Sequence, residues 1–291
     1  QPMADGLKFL FKEDIIPGHV NRLIYLAAPP AILVPALMAF AVVPVGDTIP
    51  LFGRNIQLQV ANVNIGVLYL LALASLGVYG IVLGGWASNN KYALLGGIRA
   101  SAQMISYELS LGLSLIGVLM VAGSLRLGDI VDIQANDTLL GFLPRWNVFT
   151  QPLAFLLFTV SAFAEANRLP FDLPESEQEL VAGYHSEYSS MKFAMFFMAE
   201  YASMITASAV IATLFFGGWH VPWLISSGDQ SLYASVLKIL AFVVKTGFFM
   251  FLFLWVRWTL PRFRYDQVMW LGWKIMLPLA ILNVLVTGLV M

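Results

Sequence analysis

No cysteine occurs among the 291 residues. This excludes disulfides, thiolate-held zinc and iron–sulfur clusters ligated by this chain. Histidine is also scarce. His19, His185 and His220 are scattered and show no metal-ligand spacing, so no metal held by this chain is expected. Charge is the third scarcity: Asp, Glu, Lys and Arg make up 11% of residues, against about 25% in soluble domains. The net charge of −1 provides no field to draw nucleic acid, and none is expected as a partner. Neither a G-x-x-x-x-G-K-[ST] phosphate loop nor a dinucleotide fingerprint is present. The chain therefore works with carboxylates, or on a cofactor that partners hold. It opens on Gln1 with no signal peptide ahead of it, and the first residues of the natural chain are expected to be missing.

Apolar residues fill the space left by charge. They make up 59% of the chain, with a mean hydropathy of +0.79. No single soluble core hides that much apolar surface, so lipid is the solvent. The fold class is an all-α polytopic membrane protein. Seven apolar runs approach the ~20 residues needed to span a bilayer, at about 22–45, 63–88, 101–123, 150–167, 192–217, 235–257 and 271–290. The first carries Pro29, Pro30 and Pro35, which should kink it. Residues 1–21 interleave Asp5, Lys8, Lys12, Glu13 and Asp14 with Leu7, Phe9, Leu10 and Phe11, the pattern of an amphipathic helix at the membrane surface that ends at Pro17-Gly18. No internal repeat is visible, and residues 1–291 read as one membrane domain.

The loops set the orientation. One side, side A, carries 1–21, 89–100, 168–191 and 258–270. Counted with the adjoining helix ends, it holds eleven Lys and Arg against four on the opposite side B. By the positive-inside rule, side A is cytoplasmic, or matrix in an organelle. Side B has longer, blander loops, such as 124–149.

Six of the 17 acids fall within residues 165–192, between two of the apolar runs. Pro174 suits a helix start there, which would put Glu175 and Glu179 on one face and Glu177 on another. Such a stretch is either a solvated surface helix or the mouth of a proton or cation path. The spans beside it favour the mouth, since one ends in Glu165 and the other contains Glu200. Glu108 and Glu200 each lie about eight residues inside their runs, which is about 12 Å deep. Charge in hydrocarbon is costly, so such groups face a bundle interior or a wet cavity. A buried carboxyl poised near neutrality can accept and release protons. A lone glutamate is readily held by neighbouring Tyr and Ser. Two at matching depth, with a third leading to an acidic loop, favour a relay.

Lys245 lies near the middle of its span. It either pairs with a buried carboxylate, joins the same relay, or reaches a side B water cavity. On side A, Arg99 and Arg168 beside Phe171 suit the headgroup of a lipid-soluble molecule, or simply lipid phosphate. Residue types do not separate these.

The run EANRLPFDLPESEQELVAGYHSEYSSMK at 165–192 resembles the signature loop of the membrane-embedded H subunit of proton-pumping NADH–quinone oxidoreductase, respiratory complex I. QPMADGLKFLFKEDIIP at 1–17, GWASNNKYALLGGIRASAQMISYE at 85–108 and WTLPRFRYDQ at 258–267 agree with it, so the likeness covers the whole chain. The resemblance implies an eight-span fold of which seven spans are here, the first being absent. It implies a subunit joining a peripheral arm to antiporter-like pumping subunits, next to small membrane subunits. The peripheral quinone-site subunits would share a quinone chamber with it, and partners would carry FMN and iron–sulfur clusters. This chain would bind no cofactor of its own, with quinone as substrate. Matched residue by residue, the proton path falls on Glu108, Glu165 and Glu200, with the loop acids Glu175, Glu177, Glu179 and Glu187. Asp5 matches an acid beside the chamber, and Arg168 and Phe171 lie in the loop that closes on it. The resemblance assigns no role to Lys245. The compact chain leans to a bacterial inner membrane, with the mitochondrial inner membrane as the alternative.

Three other readings compete. A hydrogenase-type or methanophenazine-linked complex would use a related anchor with a different electron acceptor. A free-standing ion-coupled carrier would show inverted repeats and broken helices, and neither is seen. A purely structural anchor would leave Glu108, Glu200 and Lys245 without purpose.

Overall fold

The computed structural model describes residues 2–51, 54–136, 138–139, 143–174, 181–222 and 231–291. In hydrocarbon every backbone N–H and C=O must be paired within its own segment, so the apolar runs become helices. In chain order these are α1 (Pro2–Phe11), α2 (Arg22–Phe40), α3 (Gly66–Ala87), α4 (Lys91–Ala122), α5 (Leu127–Asn136), α6 (Asn147–Thr150), α7 (Pro152–Glu165), α8 (Ser190–Phe215), α9 (Leu232–Thr259) and α10 (Tyr265–Val290). Six of them, α2, α3, α4, α8, α9 and α10, are long and apolar enough to cross a membrane. The fourth expected span is α7, a shorter apolar helix of 14 residues. The prolines of the first span all lie inside α2, which is helical throughout.

Helix α4 is the hub, packing on α3, α7 and α10, while α8 packs on α2 and α9. Its 32 residues correspond to about 48 Å, more than the ~30 Å hydrocarbon core. It starts at Lys91, where the Asn90 side chain caps it by accepting from the Tyr92 N–H at 3.0 Å. Residues 91–100, expected as loop, are therefore helix projecting on side A. Close packing of α3 on α4 depends on small residues: a Cβ on Gly85 would lie 2.6 Å from the Ala93 carbonyl oxygen.

The amphipathic segment forms α1 but stops at Phe11, short of Pro17-Gly18. The start of α8 fastens the rest of the segment. The Ser190 hydroxyl lies 2.9 Å and 3.0 Å from the Phe9 and Lys12 carbonyl oxygens, and Ser189 Oγ accepts from the Ile15 N–H at 3.1 Å. Lys192 Nζ pairs with Asp14 at 2.7 Å. Leu7, Leu10 and Phe11 face outward.

Side B is less bland than its composition suggests. Segment 124–149 contains α5, whose Leu127, Ile130 and Val131 are buried in the core. Two short antiparallel hairpins, Thr48–Leu51 with Arg54–Gln57 and Thr138–Leu139 with Leu143–Pro144, accompany the expected all-α fold. The first leans on α9 through the Ser235 hydroxyl, which donates to the Thr48 carbonyl at 2.8 Å.

Candidate functional site

The site grows from the end of α7. Beyond Glu165, Asn167 takes the left-handed conformation (φ +50), which asparagine tolerates better than most residues. The chain turns back, and Arg168 enters the bundle. Its Nη2 lies 3.1 Å from Glu200 Oε2 on α8. Arg168 and Glu200 are only 7% and 5% exposed, so the pair is largely out of water. The guanidinium carbon sits 4.5 Å from the centre of the Tyr201 ring, and the Tyr184 hydroxyl donates to Glu200 Oε1 at 3.3 Å. An ion pair this deep repays its desolvation only with good geometry and further hydrogen bonds.

Gln103 of α4 fixes the turn. Its Nε2 donates to the carbonyls of Ala164 and Phe171, each at 2.8 Å. The Phe171 ring packs between Tyr107 and Phe263, at centroid distances of 5.4 and 5.5 Å. Arg262 Nη2 holds Asp172 at 2.7 Å, joining the loop to the segment before α10.

Behind this turn lies a partly open cavity of about 100 Å³ lined by α2, α3, α4, α7 and α8. Its walls are apolar, from Ile32 to Leu214, except for Glu165, Asn167, Glu200, Ser203 and Thr206. Glu108 stands on α4 between Met104 and Leu111, both of which line the cavity. The Ser75 hydroxyl of α3 donates to its Oε1. Two carboxyls thus share one cavity whose wall also carries hydroxyl and amide groups, and a third stands on α4 beside residues that line it. Groups arranged like this can hold protons and hand them on.

The other expected residues are spread more widely. Glu187 is half-buried at side A, where Oε1 accepts from Asn90 Nδ2 at 2.8 Å and its backbone carbonyl accepts from the Tyr25 hydroxyl at 2.7 Å. The Arg99 guanidinium carbon lies 5.9 Å from the centre of the Tyr265 ring. Arg168 and Phe171, expected beside a headgroup, are both turned into the bundle. Asp5 falls on α1, but its side chain lies outside the described residues, as do Glu175, Glu177 and Glu179. Lys245 pairs with no carboxylate among the described residues. Its ammonium donates to three backbone carbonyls, those of Phe216, Gly218 and His220.

Sequence reasoning missed Gln103, Tyr184 and Ser75. Only Gln103 gave a signal, as a long amide inside an apolar run. Among the described residues, no group of three or more His, Asp or Glu could hold a metal ion.

Buried carboxyls beside the loop that enters the bundle, within a set of helices long and apolar enough to cross a membrane, define a polytopic membrane protein with ionisable groups in its interior. The chain belongs to the NADH dehydrogenase family, whose model, described by that name, matches residues 1–288. It is 50% identical over 288 residues to a protein of Cytophaga hutchinsonii named as the first H subunit of NADH-quinone oxidoreductase, covering 99% of this chain and 82% of that protein. The protein of the same name from Geobacter sulfurreducens is 52% identical over 301 residues, covering 100% of this chain and 81% of its own length. The NADH-quinone oxidoreductase H subunit of Thermomicrobium roseum is 53% identical over 292 residues, covering 100% and 82%. With bacterial relatives of this kind and its six spans, the chain is a multi-pass inner-membrane protein.

Proposed function

We propose that this chain is the quinone-site and coupling subunit of a respiratory NADH–quinone oxidoreductase. It forms part of the chamber where quinone is reduced and links that reduction to proton translocation. The observation that carries this reading is Glu200. It is buried in the bundle, held by Arg168 from the acidic-loop segment, and shares a cavity with Glu165. A change of charge on the side A loop alters the field at Arg168, hence the proton affinity of Glu200. Glu165 and Glu108 continue the path along the cavity. Glu187, Glu175, Glu177 and Glu179 would form its mouth, and Asp5 and Arg99 would border the chamber. Peripheral, small membrane and antiporter-like subunits would complete the enzyme and supply FMN and iron–sulfur clusters.

The test starts with a mild-detergent purification through a tag on this chain. A large complex that reduces a quinone analogue with NADH is expected. Hydrogen evolution would replace the electron acceptor, and a chain that emerges alone and stable would favour a carrier. In the assembled complex, Glu200→Gln keeps the shape but removes a titratable group, so fewer protons should move per electron. A normal proton-to-electron ratio in that variant would remove Glu200 from the path.

A further inference from the structure

Helix α8 ends in an unusual way. Phe216, Gly217, Gly218 and His220 form a tight turn in which both glycines have positive φ (+67 and +50). Neither tolerates a side chain: a Cβ on Gly217 would lie 2.7 Å from Trp146 Nε1, and one on Gly218 2.9 Å from Val131 Cγ2. The turn aims the carbonyls of Phe216, Gly218 and His220 at one point, and Lys245 Nζ occupies it at 2.8, 3.0 and 2.7 Å. The face of the Trp146 ring closes the cage, its centre 4.8 Å from the ammonium. An ammonium has three N–H donors, and here each has a carbonyl acceptor. The three carbonyls lie just past the end of α8, at the negative end of its dipole, where a cation is stabilising.

We infer that Lys245 is a positioning residue, a fixed cationic cap that ties the side B end of the Glu200-bearing helix to α9 and Trp146, and that it passes no proton on. Backbone carbonyls accept hydrogen bonds but cannot take up the proton a relay group must pass on. Releasing that proton would also leave a buried carbonyl without its donor. Along α9, Phe242, Lys245, Thr246 and Phe249 form the stripe that faces inward, so the long side chain arrives at the turn without crossing lipid.

Arginine separates a cap from a relay. A guanidinium serves several carbonyls at once and never deprotonates in a protein. In membrane vesicles holding the whole complex, Lys245→Arg should keep the quinone reduction rate and the proton-to-electron ratio within about twofold of the parent. Lys245→Met should lower the amount of assembled complex roughly several-fold, with rate and pumping falling together and the ratio unchanged. Lys245→Ala should regain rate when propylammonium is added, since that ion restores the missing ammonium. Two results would overturn the cap. One is quinone reduction that persists in Lys245→Arg or Lys245→Met while the proton-to-electron ratio falls. The other is loss of assembly in Lys245→Arg with no propylammonium response in Lys245→Ala. The ratio relies on the coupling function proposed above, but assembly, thermal stability and amine rescue do not. A parent complex that does not pump would therefore sink that reading and leave this one testable.

Discussion

The two ends of the bundle treat buried polarity differently. Towards side A, Glu200 is held by Arg168 and Tyr184, Glu108 by Ser75, and Glu165 opens on the same cavity. Towards side B, Lys245 is consumed by three carbonyls. Gln151 donates to Thr287 at 2.9 Å and accepts from Asn283 at 3.2 Å. Amides, hydroxyls and carbonyls do not titrate, whereas glutamates do. The same apolar helices thus gather the buried glutamates in the half that receives the acidic loop, while amides, hydroxyls and carbonyls predominate among the buried polar groups of the other half.

The largest effect should come from Arg168→Ala. It strands the Glu200 carboxylate in a site only 5% exposed, and breaking a buried pair from one side costs about 3–5 kcal/mol. The complex should lose this subunit or melt early, as native gels and thermal release would report. Adding Glu200→Gln should recover part of the loss, because no buried charge then stands alone. If the double variant is no better than Arg168→Ala, the pair is not what holds the loop.

Gly117→Ala should cost less. A Cβ there would lie 2.8 Å from Asn283 Nδ2 and 3.2 Å from Gln151 Oε1, forcing the amide cluster apart and loosening α10 from α4. Overpacking of this kind costs about 1–3 kcal/mol. Faster proteolysis around α10 with an unchanged proton-to-electron ratio is expected. A changed ratio would mean that side B is not inert.

The smallest effect concerns His220, next to the Lys245 turn. Burial, followed by the positive charges of Lys245 and Lys238, pushes its imidazole down from about 6.5 to about 4. The unfolded chain therefore binds this proton before the folded one does. Its stabilising contribution is complete above pH 6.5 and is lost as pH falls towards 4. Corrected for the intrinsic pH dependence of amide exchange, the protection of segment 216–222 should fall as pH drops through that window in the parent and stay flat in His220→Gln. A flat parent profile would show that the ring is already charged or freely hydrated.

Much of this contrast is visible in the sequence, but not evenly. Charge inside an apolar run is a strong signal, so Glu108, Glu165 and Glu200 stand out, and the apolar runs themselves announce the spans. The family resemblance placed the loop and was borne out by the relatives. Partners were harder. Arg168 is close to the end of α7 but far along the chain from Glu200, and only the turn at Asn167 brings them together. The cage around Lys245 leaves no mark, because backbone carbonyls have no residue identity. The clasp that follows α1 is hidden for a similar reason: its partner Ser190 lies 181 residues beyond Phe9. Residues 91–100 look too polar for a span, yet a helix longer than the bilayer is thick extends into water without penalty.

The clasp between α1 and the head of α8 also has a history in time. Chains are synthesised from the N-terminus at about 5–20 residues per second. Ser189, Ser190 and Lys192 are thus made roughly ten seconds or more after the segment they will hold. Until then Phe9, Lys12, Asp14 and Ile15 have no partner on α8, and the newborn surface helix must wait on the membrane through the insertion of α2, α3, α4 and α7. A ribosome stalled before residue 190 would leave it unfastened, so its closure marks the moment when the first and later parts of the subunit become one body.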